Sequence, residues 1–208
     1  MSVRERSELT SRGRRSRAAL VTAARTIFER DGFQNARITD ISKLAGMAHG
    51  SFYTYFSSKE QVFEEVVKGL LVELMGAGGE RSEDGGDPVV RIERANRSYL
   101  EAYARHARLL QTWEEVATFS DDLAGLLRLG QLQFVNRAER TMRNLQRAGR
   151  IDPELDPHYA ANALTAMVGG FARAWFRSGE EFELDQAVAQ LTRLWKNAIG
   201  LDEPKSVQ

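Results

Sequence analysis

Residues 45–56, AGMAHGSFYTYF, constrain this chain more than any other stretch. Gly46 ends one short helix, Met47 bridges a tight turn, and a second short helix follows over about 48–56. Two short helices separated by a glycine-containing turn make a helix-turn-helix. At about 100° per residue, Phe52 and Phe56 share one face of the second helix, with Gly50 and Thr54 opposite. His49 and Tyr53 flank the polar face on one side, Ser51 and Tyr55 on the other. Gly50 costs a helix interior roughly 1 kcal/mol relative to Ala. Ala48, at the N-cap, forgoes the roughly 0.5–2 kcal/mol that a serine would add. A helix that is locally weak yet rich in donors fits a partner's surface better than a stability role.

In a helix-turn-helix the second helix enters the DNA major groove and the first crosses the backbone. His49, Ser51 and Thr54 are placed to meet base edges, while the phenols of Tyr53 and Tyr55 reach phosphate oxygens. Phosphate contacts of that kind fix register and carry no sequence information. Lys59, at the start of the next helix, is unfavourable against the helix dipole; a phosphate beside it reverses that penalty, and taken alone a solvated lysine is the simpler account. Charge is divided unevenly. Residues 1–60 carry 11 Lys/Arg against 6 Asp/Glu, and residues 61–208 carry 18 against 23. A basic head on an acidic body points to a polyanion partner for the head alone.

The rest of the chain predicts helices throughout. Leu20, Ala23, Ala24, Ile27 and Phe28 lie on one face of a first helix capped at Ser16. Gly32 stands at its C′ position, and Phe33 folds back on Phe28. Thr39 caps the second helix, which turns Ile41, Leu44 and Ala45 inward. Ser57 with Glu60, or Ser58 with Gln61, makes a capping box for a fourth helix running through Leu74. Residues 76–88, GAGGERSEDGGDP, read as a loop. Further helices are predicted over about 88–106, 107–118, 121–148, 157–178 and 185–199, with Asp156-Pro157 as a helix start. No segment alternates like a strand, so the fold class is all-α. The expected organisation is a disordered basic arm (1–14), a three-helix DNA-binding head (15–60), a helical body (61–201), to which the resemblance described next adds ligand binding and dimerisation, and a tail (202–208). Cysteine is absent, which suits a reducing cytosol; the N-terminal residues lack the apolar core of a secretory signal. A cytoplasmic location is expected.

The stretch GFQNARITDISKLAGMAHGSFYTYFSSKEQVF (32–63) resembles the DNA-binding domain of the TetR family of bacterial transcriptional repressors. The resemblance rests on Gly32, Ile41, Ala45-Gly46, Gly50, Tyr53, Tyr55-Phe56 and Lys59-Glu60, and covers about 16–66. It implies DNA contacts from Ile38, Thr39, Ala48, His49, Gly50, Ser51, Tyr53, Thr54, Tyr55 and Lys59. The chain departs from the family pattern at Arg37, Ser42 and Ala48. Ala48 lacks a hydroxyl for a phosphate, and Arg37 supplies a replacement phosphate contact.

A short reading helix spans few base pairs, and such readers pair to place two helices roughly 34–36 Å apart. The last two helices are the candidates for pairing. Gly169 and Gly170 permit close approach beside Trp175, and Val188, Leu191, Leu194, Trp195 and Ile199 form an apolar stripe. The same stripe also fits an intramolecular core. The resemblance implies a homodimer built from these helices, and a body enclosing a small, mostly apolar inducer. Tyr99, Tyr103, Trp113, Phe119, Phe134, Met142, Met167, Phe171 and Trp175 are candidate lining, or ordinary core. Ligand would then shift the population toward a dimer whose heads are wrongly spaced for a palindromic operator, with the fourth helix as lever.

Other classes fit less well. His49, His106 and His158 are far apart, and no metal or nucleophile motif is present; no enzyme, cofactor or metal site is expected. No apolar run approaches a membrane span. A non-specific nucleoid-type DNA binder shares the basic head but needs neither inducer nor half-sites. A helical lipid carrier with a vestigial head is the remaining alternative.

Overall fold

The computed structural model describes residues 10–77, 86–178 and 180–201. The helices are α1 (Ser11–Asn35), α2 (Ile38–Leu44), α3 (His49–Phe52), α4 (Lys59–Ala77), α5 (Pro88–Ala117), α6 (Asp121–Arg147), α7 (Pro157–Ser178) and α8 (Leu184–Ala198). No strand occurs among the described residues. The chain divides into two compact units, one containing residues up to Glu73 with His106–Leu127, the other Leu74–Arg105 with the chain from Arg128 onward.

The first unit is organised by aromatic rings. Gly32 has φ +72°, a left-handed conformation open to glycine. It lets the chain turn so that Phe33 stacks on Phe28 at 5.7 Å, and Phe63 of α4 meets both at 4.8 and 5.3 Å. Leu20, Ala24, Ile27, Ile41, Val62, Val66, Val67 and Leu70 complete the core. Its charged partners are also internal to the unit. Arg25 of α1 grips Glu73 of α4 with two bonds of 2.6 and 3.0 Å, and bonds Glu29 and the Nδ1 of His106. Hydrogen bonding to Glu73 raises the Arg25 guanidinium further above its ordinary value. Trp113 of α5 is buried and donates its indole N–H to Leu123 O of α6 at 3.0 Å.

Several boundaries differ from the sequence expectation. α1 starts at Ser11, capped by Thr10, whose Oγ1 accepts from Gly13 N; Ser16 lies inside the helix. Residues 11–14 of the expected disordered arm are therefore helical, and residues 1–9 lie outside the described residues. Arg37, not Thr39, is the N-cap residue of α2. The start of α4 uses the Ser58–Gln61 alternative: Ser58 Oγ accepts from Gln61 N, and Gln61 Oε1 accepts from Ser57 N. The helices expected at 88–106 and 107–118 are one helix, because no proline or glycine interrupts HARLL. α4 continues to Ala77, past the expected loop start; residues 78–85 of that loop and the tail 202–208 lie outside the described residues.

In the second unit Met142, Leu145, Ile151, Ala161, Leu164, Ile199 and Leu201 form a core. A buried polar pair, Asn96 Nδ2 to Thr192 Oγ1 at 3.1 Å, ties α5 to α8. Arg143 and then His158 hydrogen-bond Glu139, hold its carboxyl below the ordinary value, and join α6 to the first turn of α7.

One buried polar group in α2 is unmatched. Ser42 is buried, and among the described residues its hydroxyl has no hydrogen-bond partner. An unsatisfied buried hydroxyl costs on the order of 1–3 kcal/mol. Ser42→Ala is predicted to raise the free energy of unfolding by about 1 kcal/mol in chemical denaturation; a destabilised variant would show that the hydroxyl has an acceptor.

Candidate nucleic-acid interface

The reading helix is shorter than its sequence suggested. α3 keeps only His49–Phe52 in regular helix. The chain then tightens into a turn in which Thr54 N donates to Ser51 O and Tyr55 N to Phe52 O, while Phe56 N reaches Phe52 O. The faces are as the periodicity predicts. Phe52 and Phe56 are fully buried, their rings 5.7 Å apart. Gly50 and Thr54 are exposed, as is half of Tyr53, whose ring is braced edge-on by His49 and Phe52. A Cβ added at Gly50 would meet nothing within 4 Å, so another surface can approach this backbone.

Two helix N-termini open on the same place. Neither Arg37 ahead of α2 nor Ala48 ahead of α3 gives its helix a side-chain cap. The first-turn N–H groups of an uncapped helix need an outside acceptor, and anions fill that role. Ala36, Arg37, Ile38, Thr39, His49 and Lys59 line a shallow, solvent-open depression of about 400 Å³. Ser51 and Tyr55 are partly buried beside the Gly50–Thr54 face.

Lys59 behaves differently from the expectation that it faces a phosphate or open solvent. Its ammonium donates to Phe33 O at 2.7 Å and Ala36 O at 3.1 Å, with Gln34 O at 3.4 Å, and lies 4.5 Å from the Phe33 ring centre. A cation at the carbonyl end of α1 is favourable, so Lys59 closes α1 onto the start of α4. Sequence reasoning also passed over Arg17. It lies over the Phe56 ring at 4.8 Å and pairs with Glu65 at 2.7 Å. That contact seats the start of α1, with exposed Arg12 and Arg15, beside the end of the reading turn.

The residues proposed for ligand divide into three groups. Trp113 and Phe119 belong to the first unit; Trp113 is core, and Phe119 is 59% exposed beside Phe33. Met142 and Met167 pack in the second unit's core. Tyr99, Tyr103, Phe134, Phe171 and Trp175 do come together, in a chain of ring contacts that also takes in Phe176 and Phe182. The residues proposed for dimer contact also divide. Val188, Leu191 and Ile199 are at most 3% exposed and pack within the chain, so the apolar stripe of α8 serves the intramolecular core. Gly169 is buried against Tyr99, Trp175 and Trp195 are partly buried, Gly170 is partly exposed, and Leu194 is half exposed. A stripe the periodicity did not single out lies on α7, where Tyr159, Ala163, Ala166 and Ala174 are exposed in line with Gly170. Its spacing is helical, but small residues give a weak hydropathy signal.

Among the described residues no group of three His, Asp or Glu side chains can hold a metal ion, and no helix is long and apolar enough to cross a membrane.

Residues 20–66 match the family described as bacterial regulatory proteins, tetR family. The chain is 28% identical over 182 residues to the HTH-type transcriptional regulator TtgR of Pseudomonas putida, covering 81% of this chain and 84% of that one. It is 27% identical over 185 residues to the HTH-type transcriptional repressor KstR2 of Rhodococcus jostii, covering 84% and 86%. Its fold matches that of a transcriptional regulator from Saccharomonospora viridis solved in complex with choline, with a TM-score of 0.79 at 17% identity over 90% of this chain and 98% of that one.

Lys59→Met keeps the aliphatic stem but removes the three carbonyl contacts. The variant is predicted to lose about 1–2 kcal/mol of stability in thermal or urea unfolding. Its slope of log affinity for DNA against log salt should change by less than the roughly 0.9 that one lost phosphate contact gives. A full unit of slope with unchanged stability would return Lys59 to the phosphate.

Proposed function

This chain is a member of the TetR family of bacterial regulatory proteins, and from that premise we propose that it is a repressor that binds a palindromic operator as a homodimer and is released by a small, mostly apolar molecule. The observation that carries the reading is the pair of uncapped N-termini of α2 and α3 opening on one depression, beside the exposed Gly50–Thr54 face. Arg37, Ile38 and Thr39 take backbone phosphates at the start of α2. Ala48 and Gly50 let the duplex approach, His49, Ser51 and Thr54 meet base edges, and Tyr53 and Tyr55 bind flanking phosphates. Lys59 acts as a strut, and Arg12 and Arg15 extend the positive edge.

The second copy is proposed to dock on α7 and α8. Ala163, Ala166, Gly170 and Ala174 present a strip of small residues that admits close approach of another helix, and Tyr159 of α7 and Leu194 of α8 add exposed apolar anchors. Two heads held by such a dimer can occupy successive major grooves roughly 34–36 Å apart. The effector is proposed to bind along the rings of Tyr99, Tyr103, Phe134, Phe171 and Trp175. Its leverage on DNA binding equals its differential affinity for the two dimer states, typically about 1–3 kcal/mol. The naming of KstR2 as a repressor supports the first half of the reading, and the small molecule held by the Saccharomonospora viridis regulator, the cation choline, supports a small-molecule effector without supporting its apolar character.

Selection from random duplex DNA tests it. The expected product is a palindrome bound at least roughly a thousandfold tighter than random sequence; equal affinities would leave a non-specific nucleoid-type binder. On that operator, Tyr55→Phe should weaken all sequences alike, while Ser51→Ala and Thr54→Ala should change base preference. Uniform losses in both sets would refute the division of roles. Ala166→Glu should turn the dimer into monomers in sedimentation; an unaffected dimer would place the interface elsewhere.

A further inference from the structure

Arg173 is a cation on the helix that also carries Phe171, Trp175 and Phe176. It lies on α7 one turn after Gly169 and is partly buried. Among the described residues it has no hydrogen-bond or ion-pair partner, whereas Arg97 and Arg143 of the same unit are paired with Asp185 and Glu139. Gly169 is buried, and a Cβ built there would lie 3.4 Å from the Tyr99 hydroxyl and 3.6 Å from Arg173 Nη1. A phenol and a guanidinium thus converge over a position that carries no side chain. From Tyr99 the ring contacts continue to Phe134 at 5.5 Å and Tyr103 at 6.1 Å, and from Tyr103 to Phe176 at 5.6 Å.

The chemistry of that juxtaposition selects a ligand. A partly buried guanidinium without a counter-charge is unfavourable and becomes favourable when a ligand supplies one. Its planar fork matches a carboxylate with two parallel hydrogen bonds. One guanidinium balances a single negative charge, less well the roughly two of a phosphate monoester. Aromatic walls alone would also suit an organic cation, but a like charge at Arg173 repels one. On the reading that the second unit holds the effector, we infer that the effector is a carboxylic acid with an apolar body. Its carboxylate sits on Arg173 and the Tyr99 hydroxyl, over Gly169, and its body lies along Phe134, Tyr103 and Phe176.

The test uses the full chain and calorimetric titration with 2-naphthoate, 4-phenylbutyrate and dodecanoate, each beside its primary amide, and with tetraethylammonium. At least one acid should bind, roughly tenfold or more tightly than its amide. Arg173→Gln should weaken the acid roughly tenfold to a hundredfold and leave the amide unchanged. Gly169→Ala should weaken the acid as well, because its methyl, in ordinary contact with the Tyr99 hydroxyl and Arg173 Nη1, stands beside both groups that are to hold the carboxylate. Equal binding of acid and amide, an acid indifferent to Arg173→Gln, tetraethylammonium tighter than every acid, or no acid bound at all would each overturn the inference. Operator release separates the two levels. Release by an uncharged or cationic molecule alone sinks the carboxylate and keeps the effector, while an operator complex indifferent to a broad small-molecule library sinks both.

Discussion

Two phenyl rings hold in place a helix that has no means of holding itself. Four residues are far below the length at which a helix is stable in water, and α3 has neither an N-terminal cap nor a good helix former at Gly50. What keeps it folded is the complete burial of Phe52 and Phe56, each contributing on the order of 1.5–3 kcal/mol of hydrophobic free energy. Arg17 over Phe56 and the Phe28–Phe33–Phe63 cluster extend the same packing to α1 and α4. With the apolar side fixed, the opposite side is free to be glycine, hydroxyl and phenol, which is a poor composition for stability and a good one for touching a duplex.

The second unit distributes its side chains differently. Its α8 stripe, Val188, Leu191 and Ile199, closes the chain's own core with Asn96–Thr192 as a polar peg. On α7, Ala163, Ala166 and Ala174 are left exposed. A helix face of alanine and glycine does little for the monomer and would let a second helix axis come close, which is what the proposed dimer asks of it.

How much of this was legible depended on whether the signal was local. The helix-turn-helix was legible because glycine conformation, turn length and the four-residue repeat of Phe52 and Phe56 are all read within a dozen residues. The break in α1 at Gly32 and the Phe33–Phe28 contact were legible for the same reason, although the helix resumes beyond it to Asn35. Lys59 was not: its partners are carbonyls some 25 residues earlier, and no periodicity reports them. Nor could a hydrophobic stripe say which of two faces it would meet, so the inward turn of Val188 and Leu191 and the outward turn of Ala163 and Ala166 needed coordinates. The nine aromatic and methionine candidates share a chemistry, not a location, and the fold distributes them between core, surface and ring cluster.

The contact between Arg25 and His106 fixes a proton. A guanidinium only donates, so the imidazole Nδ1 at 2.9 Å must accept, and the ring hydrogen belongs on Nε2, which faces Glu73 Oε2 at 3.3 Å. The neutral Nε2–H tautomer is therefore the form that fits α1, α4 and α5 as they are packed. A second ring proton would set cation against cation at Nδ1, so the imidazole registers, in its choice of nitrogen, whether those three helices are together.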